Sequence, residues 1–132
     1  MHIPEQKFDD IKKLNRDLFE SLGSYIKNTQ LESGAIPSNQ DGSHDPWDHM
    51  ESIMGLNFSN KKHASISAFN WLINNQNSDG SWYSKYNNDL PLEKNKTTHF
   101  GPYISVAALH FYKIFEDKAL LNYLWPNIKS AI

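Results

Sequence analysis

The sequence has no cysteine, which excludes disulfides and thiolate metal ligands. It has no strong excess of either charge, because 13 Lys and Arg face 15 Asp and Glu, and so it lacks a broad basic field for nucleic acid. No apolar run approaches the roughly 18 residues of a membrane helix, and residues 1–10 lack the basic and apolar regions of a signal peptide. We therefore predict a soluble, cytoplasmic protein with no membrane span and no nucleic-acid partner.

Aromatic residues, in contrast, are plentiful. The 132 residues include four Trp, six Tyr and seven Phe, enough for a large aromatic core or an aromatic-lined cavity. A chain of this length forms one ordinary domain. We therefore treat residues 1–132 as one domain.

Apolar spacings of three and four residues predict a mainly helical chain. The predicted helices cover residues 8–29, 45–58, 63–75, 98–115 and 118–123, with another beginning at Trp125-Pro126. The second has the clearest start, with Asp45 as N-cap and Pro46 at its first position. Residues 83–97 are rich in Asn, Asp, Lys and Pro, and we predict a long loop there. We expect the helices that begin near Asp45 and Thr98 to be buried, because they are apolar around most of their circumference.

A short internal repeat organises these helices. An offset of 46 residues places Gln30 on Gln76 and Gly34 on Gly80, and an offset of 53 then aligns residues 50–56 with 103–109. The repeat units are residues 7–58 and 60–115, with a third starting at 117. Repeats of two helices at this length indicate stacked hairpins, arranged as a solenoid or closed as a ring. Because the third unit breaks off, we expect an N-terminal part of a longer protein whose remainder beyond Ile132 would cover exposed apolar helix faces.

Residues 76–82, Gln-Asn-Ser-Asp-Gly-Ser-Trp, resemble the Gln-x-x-Asp-Gly-x-Trp motif of triterpene cyclases, which is related to turns in protein prenyltransferase β subunits. The resemblance implies an all-α fold in which helical hairpins form part of an α/α toroid, an incomplete (α/α)6 barrel. It also implies structural roles for Gln76, Asp79, Gly80 and Trp82, with the Gln side chain tying the helix end to the Trp ring. In the first copy, Ser33 and Ile36 replace the Asp and Trp, while Gln30 and Gly34 remain.

The chain lacks the acidic motifs of cyclases and the Cys of a prenyltransferase zinc site. Residues 117–121, followed by Trp125-Pro126 and Ala131-Ile132, resemble the hairpins of six-hairpin glycosidases, which are also α/α toroids. The two resemblances agree on architecture and differ on the reaction.

If the outer helices end at the two Gln-Gly turns, the helices starting near Asp45 and Thr98 are inner, and their N-terminal ends line one mouth of the ring. Asp48 and Glu51 lie three residues apart on one helical face and are the candidate acid and base. Glu51 is the first choice, because it interrupts an otherwise apolar helix. The candidate substrate-binding residues are aromatic or histidine side chains near the same mouth: Trp47, His49, His99 and Tyr103.

Other residues have simpler explanations. Asp45 fits a helix cap, Asp79 and Gly80 fit a turn, and His110 fits a hydrogen-bonded core histidine. His44, Asp48 and His49 match no strong metal-binding pattern, so we predict no metal and no cofactor.

Three functions follow from these observations. The first is a partial enzyme of the prenyltransferase or terpene cyclase type, a transferase-like domain with an apolar, aromatic-lined cavity for an isoprenoid. The alternative is a six-hairpin glycoside hydrolase or lyase that acts on a carbohydrate with Asp48 and Glu51. The third is a noncatalytic helical-repeat binding module.

Overall fold

The structure is a computed structural model that describes residues 5–132, apart from the side chains of residues 5–9, 11 and 12. The predicted first helix begins at residue 8, and the side chains of Phe8 and Ile11 within it lie outside the described set. The described residues form five helices: α1 Glu5–Thr29, α2 Pro46–Phe58, α3 Lys62–Asn74, α4 Phe100–Phe115 and α5 Lys118–Ala131. None of these helices is long and apolar enough to cross a membrane.

Three short strands accompany the helices. They are β1 Ser43–His44, β2 Tyr83–Asn87 and β3 Leu90–Lys96, and they form an antiparallel sheet in the order β1-β2-β3. The prediction of a loop at residues 83–97 was therefore wrong, and the described chain is mostly helical instead of all-α. The hairpin turns at Asn88, whose φ of 52° suits an Asn at a tight turn.

The five helices pack against one another in neighbouring pairs. α2 and α4 lie side by side, α1 and α3 pack on α2, and α5 packs on α4. Their contacts form one apolar core with Trp71, Trp82 and Phe111 among its largest buried side chains. The α1–α2 contact is close, because Gly23 lies against Ser59 and Gly55 against Ile26.

The two Gln-Gly turns have the same hydrogen bonds. Gln30 Nε2 donates to the carbonyls of Gly34 (3.1 Å) and Ala64 (2.9 Å), which ties the first turn to α3. Gln76 Nε2 donates to Gly80 O (2.9 Å) and to Asn127 O (3.0 Å), which ties the second turn to α5. Each turn is thus tied by its Gln side chain to a later helix, α3 for the first turn and α5 for the second.

Both turns require glycine for two reasons. Gly34 and Gly80 have φ of 94° and 83°, a region that residues with a Cβ rarely adopt. A Cβ would also lie 2.1 Å from Ser67 O at the first turn and 1.7 Å from Ser130 O at the second.

The Trp of the motif has a different partner from the one that the family resemblance implies. Trp82 is buried and its Nε1 donates to Leu72 O at 2.8 Å, whereas the hydrogen bonds of Gln76 described here go to Gly80 and Asn127. Ile36 is also buried in the first copy. Both residues therefore place an apolar side chain in the core just after the turn.

A third copy of this turn, which was not predicted from the sequence, lies at residues 39–43. In all three copies, residues 31–35, 39–43 and 77–81, the first N–H donates to the fifth carbonyl and the fourth N–H donates back to the first carbonyl. Asp41 Oδ1 accepts from the Ser43 N–H, as Asp79 Oδ1 does from the Ser81 N–H. The repeated letters Asn-x-Asp-Gly-Ser were the available signal.

Two helix predictions need correction. The two predicted C-terminal helices are one continuous helix, α5, which passes through Pro126. Proline has no N–H to donate to the Asn122 carbonyl, but both residues are exposed, so water can bind that carbonyl instead. α4 is not buried all round, since Val106 and Leu109 are 47% and 51% exposed.

Candidate functional site

The candidate site lies at the N-terminal ends of the neighbouring helices α2 and α4. Asp45 begins α2 with a cap in which its Oδ1 accepts from the Asp48 N–H at 2.8 Å, and Pro46 follows in the first turn. His99 precedes α4 without a side-chain capping bond. The fold thus brings residues 47–51 close to residues 99–103 across the α2–α4 contact.

Glu51 is the centre of this arrangement. Its carboxylate oxygen Oε1 accepts from Trp47 Nε1 at 2.8 Å, one helical turn earlier, and from the Tyr103 hydroxyl on α4 at 3.2 Å. The other oxygen, Oε2, has no hydrogen bond from the residues that the structure describes. The side chain is exposed. Glu51 is therefore a solvent-accessible carboxylate held from one side.

The aromatic partners of Glu51 also contact one another. The rings of Trp47 and Tyr103 are stacked, with centroids 3.7 Å apart and planes within 3°. The His99 ring meets Trp47 edge-on at 5.0 Å. Burial, the charge of Glu51 and the hydrogen bond to it, in that order, raise the pKa of the Tyr103 hydroxyl above its ordinary value. We call Trp47, Glu51, His99 and Tyr103 the carboxylate cluster.

Asp48 and Asp45 differ in how the fold uses them. The Asp45 carboxylate caps α2, and burial raises its pKa above the ordinary value. The Asp48 side chain is half-buried and takes no hydrogen bond from the described residues. Asp48 therefore remains available for a ligand, three residues from Glu51 on α2, whereas Asp45 has a structural role.

His49 lies apart from the carboxylate cluster, in the core. It is completely buried, its Nδ1 accepts from the Ile36 N–H at 3.3 Å, and its Nε2 lies 2.9 Å from Ala68 O. Because one partner only donates and the other only accepts, the ring is neutral with its proton on Nε2. The two hydrogen bonds of the His49 ring join α2 to the segment after the first turn and to α3.

His49 belongs to a second group, the buried cluster, with His44, Trp71 and Tyr86. The Trp71 ring lies 4.7 Å from each histidine ring and 5.0 Å from Tyr86. His44 is fully buried, and neither of its ring nitrogens has a partner in good hydrogen-bond geometry, although the nearby Gly42 carbonyl favours the charged form. Sequence reasoning did not foresee this cluster, since β2 brings Tyr86 to His44 from 42 residues away.

Burial controls the protonation of both histidines. It lowers the pKa of His44 to about 4 and that of His49 to about 3, and the neighbouring His44 lowers that of His49 further. His110 is half-buried and pairs with Asn57 Nδ2 at 3.1 Å, consistent with a core histidine. Among the described residues, no group of three His, Asp or Glu side chains is placed to hold a metal ion.

The turn residues lie outside the carboxylate cluster. Asp79 accepts from Ser81 and pairs with Lys96, and these contacts hold its pKa well below the usual range. The hydrogen bonds of Asp79 to Ser81 thus lie within the turn at residues 77–81, which also contains Gly80.

The geometry defines a class: helical hairpins in which two stacked aromatic rings, one from each of two adjacent helices, donate hydrogen bonds to one carboxylate near the helix N-terminal ends. Comparison with known proteins makes this more specific. Over 107 residues, 81% of this chain, the sequence is 32% identical to the MMP endo-(1,4)-3-O-methyl-alpha-D-mannosidase of Mycolicibacterium hassiacum. The chain spans 30% of the length of that relative. No protein-family model matches the chain.

This similarity favours the glycosidase alternative of the sequence analysis. The prenyltransferase and terpene cyclase interpretation, with its isoprenoid substrate, gains no support from the comparisons.

Proposed function

We infer that the chain is part of a glycoside hydrolase or lyase that acts on α-linked mannosides. The observation that carries this inference is the 32% identity to a mannosidase over 107 residues, 81% of the chain, a segment too long to leave out the carboxylate cluster at residues 47–103. Glycoside cleavage requires acidic side chains at the scissile bond. Glu51 and Asp48 are the two acids that the described fold leaves accessible beside that cluster.

Glu51 and Asp48 take the roles of acid and base in this proposal. They lie at positions i and i+3 of α2, which places both side chains on one face of the helix. Neither carboxylate caps a helix or pairs with a cation among the described residues. His99 is exposed beside Trp47 and is proposed to contact the sugar.

The arrangement of helices supports the further proposal of an α/α toroid built from units at residues 7–58 and 60–115, with a third from 117. Ile53 and Leu56 of α2 are fully buried, whereas their repeat equivalents Val106 and Leu109 on α4 are half exposed. An additional hairpin packed on α4 as α4 packs on α2 would cover them.

The test uses the full chain with α-(1,4)-linked mannooligosaccharides, with and without 3-O-methyl groups. Binding is followed by tryptophan fluorescence and cleavage by release of reducing ends. We expect Glu51→Gln and Asp48→Asn to lower the cleavage rate by about 100-fold or more, the usual size of an acid–base contribution. Glu93→Gln, on the exposed strand β3, is the matched control and should leave the rate unchanged.

Binding without cleavage in the unmodified chain would instead favour the noncatalytic binding module. Selective stabilisation by prenyl diphosphates in a thermal-shift assay would overturn the carbohydrate proposal. Cleavage that survives in Glu51→Gln would remove Glu51 from the reaction.

A further inference from the structure

We propose that Trp47 and Tyr103 are positioning residues for Glu51 and not a stacking platform for the sugar, an inference that rests on the proposed function. Both were candidates for substrate binding because aromatic ring faces attract sugars. In the structure, however, the two rings are stacked on each other at 3.7 Å, so each covers one face of the other.

The polar atoms of both rings are also committed. Trp47 Nε1 and the Tyr103 hydroxyl donate to the same oxygen of Glu51, at 2.8 and 3.2 Å. An exposed glutamate ordinarily samples several rotamers, and ordering it costs free energy. Two donors on one oxygen, one from each helix, restrict that freedom and leave Oε2 as the oxygen open to a substrate.

The arrangement also makes the carboxylate sensitive to helix packing. Trp47 lies on α2 with Glu51, but Tyr103 lies on α4, 52 residues later. A shift of α4 against α2 would therefore change the position of the reacting group, and misplacement by about 1 Å can cost about 100-fold in rate. The stacking of the Trp47 and Tyr103 rings at 3.7 Å restricts such a shift.

The test removes the hydrogen bonds and keeps the rings. Tyr103→Phe loses only the hydroxyl, and Trp47→Phe loses the Nε1–H and keeps an aromatic side chain. We expect each to lower kcat on a mannoside by about 10- to 100-fold with KM within about twofold. Tyr86→Phe, which removes a hydroxyl from the buried cluster, is the control and should keep kcat. A rise in KM with kcat retained would overturn the inference in favour of a sugar platform.

A second measurement does not depend on activity. The pKa of Tyr103 is raised partly by the charge and hydrogen bond of Glu51, so Glu51→Gln should lower it. NMR of 13C-labelled tyrosine follows this titration. An unchanged Tyr103 titration overturns the positioning inference. If Glu51→Gln lowers the pKa of Tyr103 but the chain cleaves no glycoside, the contact between Tyr103 and Glu51 is supported and the proposed function fails.

Discussion

The buried cluster and the carboxylate cluster flank the start of α2 and consist of similar residues, yet the fold uses them differently. In the buried cluster, His49 bonds to two backbone groups, while His44 and Trp71 keep unpaired nitrogens inside the core. In the carboxylate cluster, the polar atoms of two rings converge on an exposed charge. Exposed hydrogen bonds of this kind add little stability, and their order is what the proposed positioning role of Trp47 and Tyr103 requires.

The largest predicted contrast is between two tryptophans. Trp71→Ala should cost about 3–5 kcal/mol in the free energy of unfolding, because it opens a cavity in a fully buried site. Trp47→Ala should cost roughly 1–2 kcal/mol, the size of a partly exposed aromatic contact. Urea unfolding measures both.

Trp71→Phe keeps this contrast testable if Trp71→Ala does not fold. Since the Trp71 Nε1 has no partner, the change removes volume without breaking a described hydrogen bond. Trp71→Phe should cleave mannosides at the rate of the unmodified chain, and Trp47→Ala should cleave them more slowly because Glu51 loses one of its two donors. Equal stability losses for Trp71→Ala and Trp47→Ala would erase the distinction between the clusters.

The next prediction concerns how the stability of the buried cluster changes as the pH falls. The folded pKa values of His44 and His49, about 4 and about 3, lie below the roughly 6.5 of an unfolded histidine. The unfolded chain therefore binds more protons between these values, and stability falls as the pH falls below about 6.5. From pH 7 to 5 we expect a loss of about 2 kcal/mol per buried histidine, measured by urea unfolding.

Two variants assign this loss. His44→Phe removes one titrating ring and breaks no described hydrogen bond, so the slope of stability against pH should fall by about half. Tyr103→Phe, in the carboxylate cluster, should leave the slope unchanged, because a hydroxyl whose pKa lies above its ordinary value of 10 does not titrate between pH 7 and 5. If the slope of stability against pH is the same in His44→Phe as in the unmodified chain, the pKa of His44 does not differ between the folded and unfolded states.

Local signals in the sequence predicted much of the fold. The Asp45-Pro46 pair fixed the start of α2, and the Gln-Gly turns marked the ends of α1 and α3. Those features depend on residues within one turn of each other. The β2–β3 hairpin escaped prediction because its alternation is polar, with Lys85, Glu93 and Lys96 on exposed or half-exposed positions.

The sequence predicted which residues belong to the candidate site but not how their side chains contact one another. Glu51, Trp47, His99 and Tyr103 were each identified, but the shared oxygen of Glu51 depends on the packing of α4 against α2. His49 was also named as a candidate, because the sequence does not show which side of α2 packs against α3. Sequence periodicity assigns a helical face, and only tertiary packing decides what covers it.

The smallest predicted contrast concerns two tyrosine hydroxyls. The Tyr86 hydroxyl accepts from the Tyr83 N–H at 2.9 Å, so Tyr86→Phe leaves that backbone donor without its partner and should cost about 1 kcal/mol. Tyr103→Phe removes a donor to an exposed carboxylate that water can solvate, and should change stability by less than about 0.5 kcal/mol. Urea unfolding of both variants at pH 7 makes the comparison. If Tyr103→Phe proved as costly as Tyr86→Phe, its hydroxyl would stabilise the α2–α4 contact itself, and the order of the carboxylate cluster would need no functional explanation.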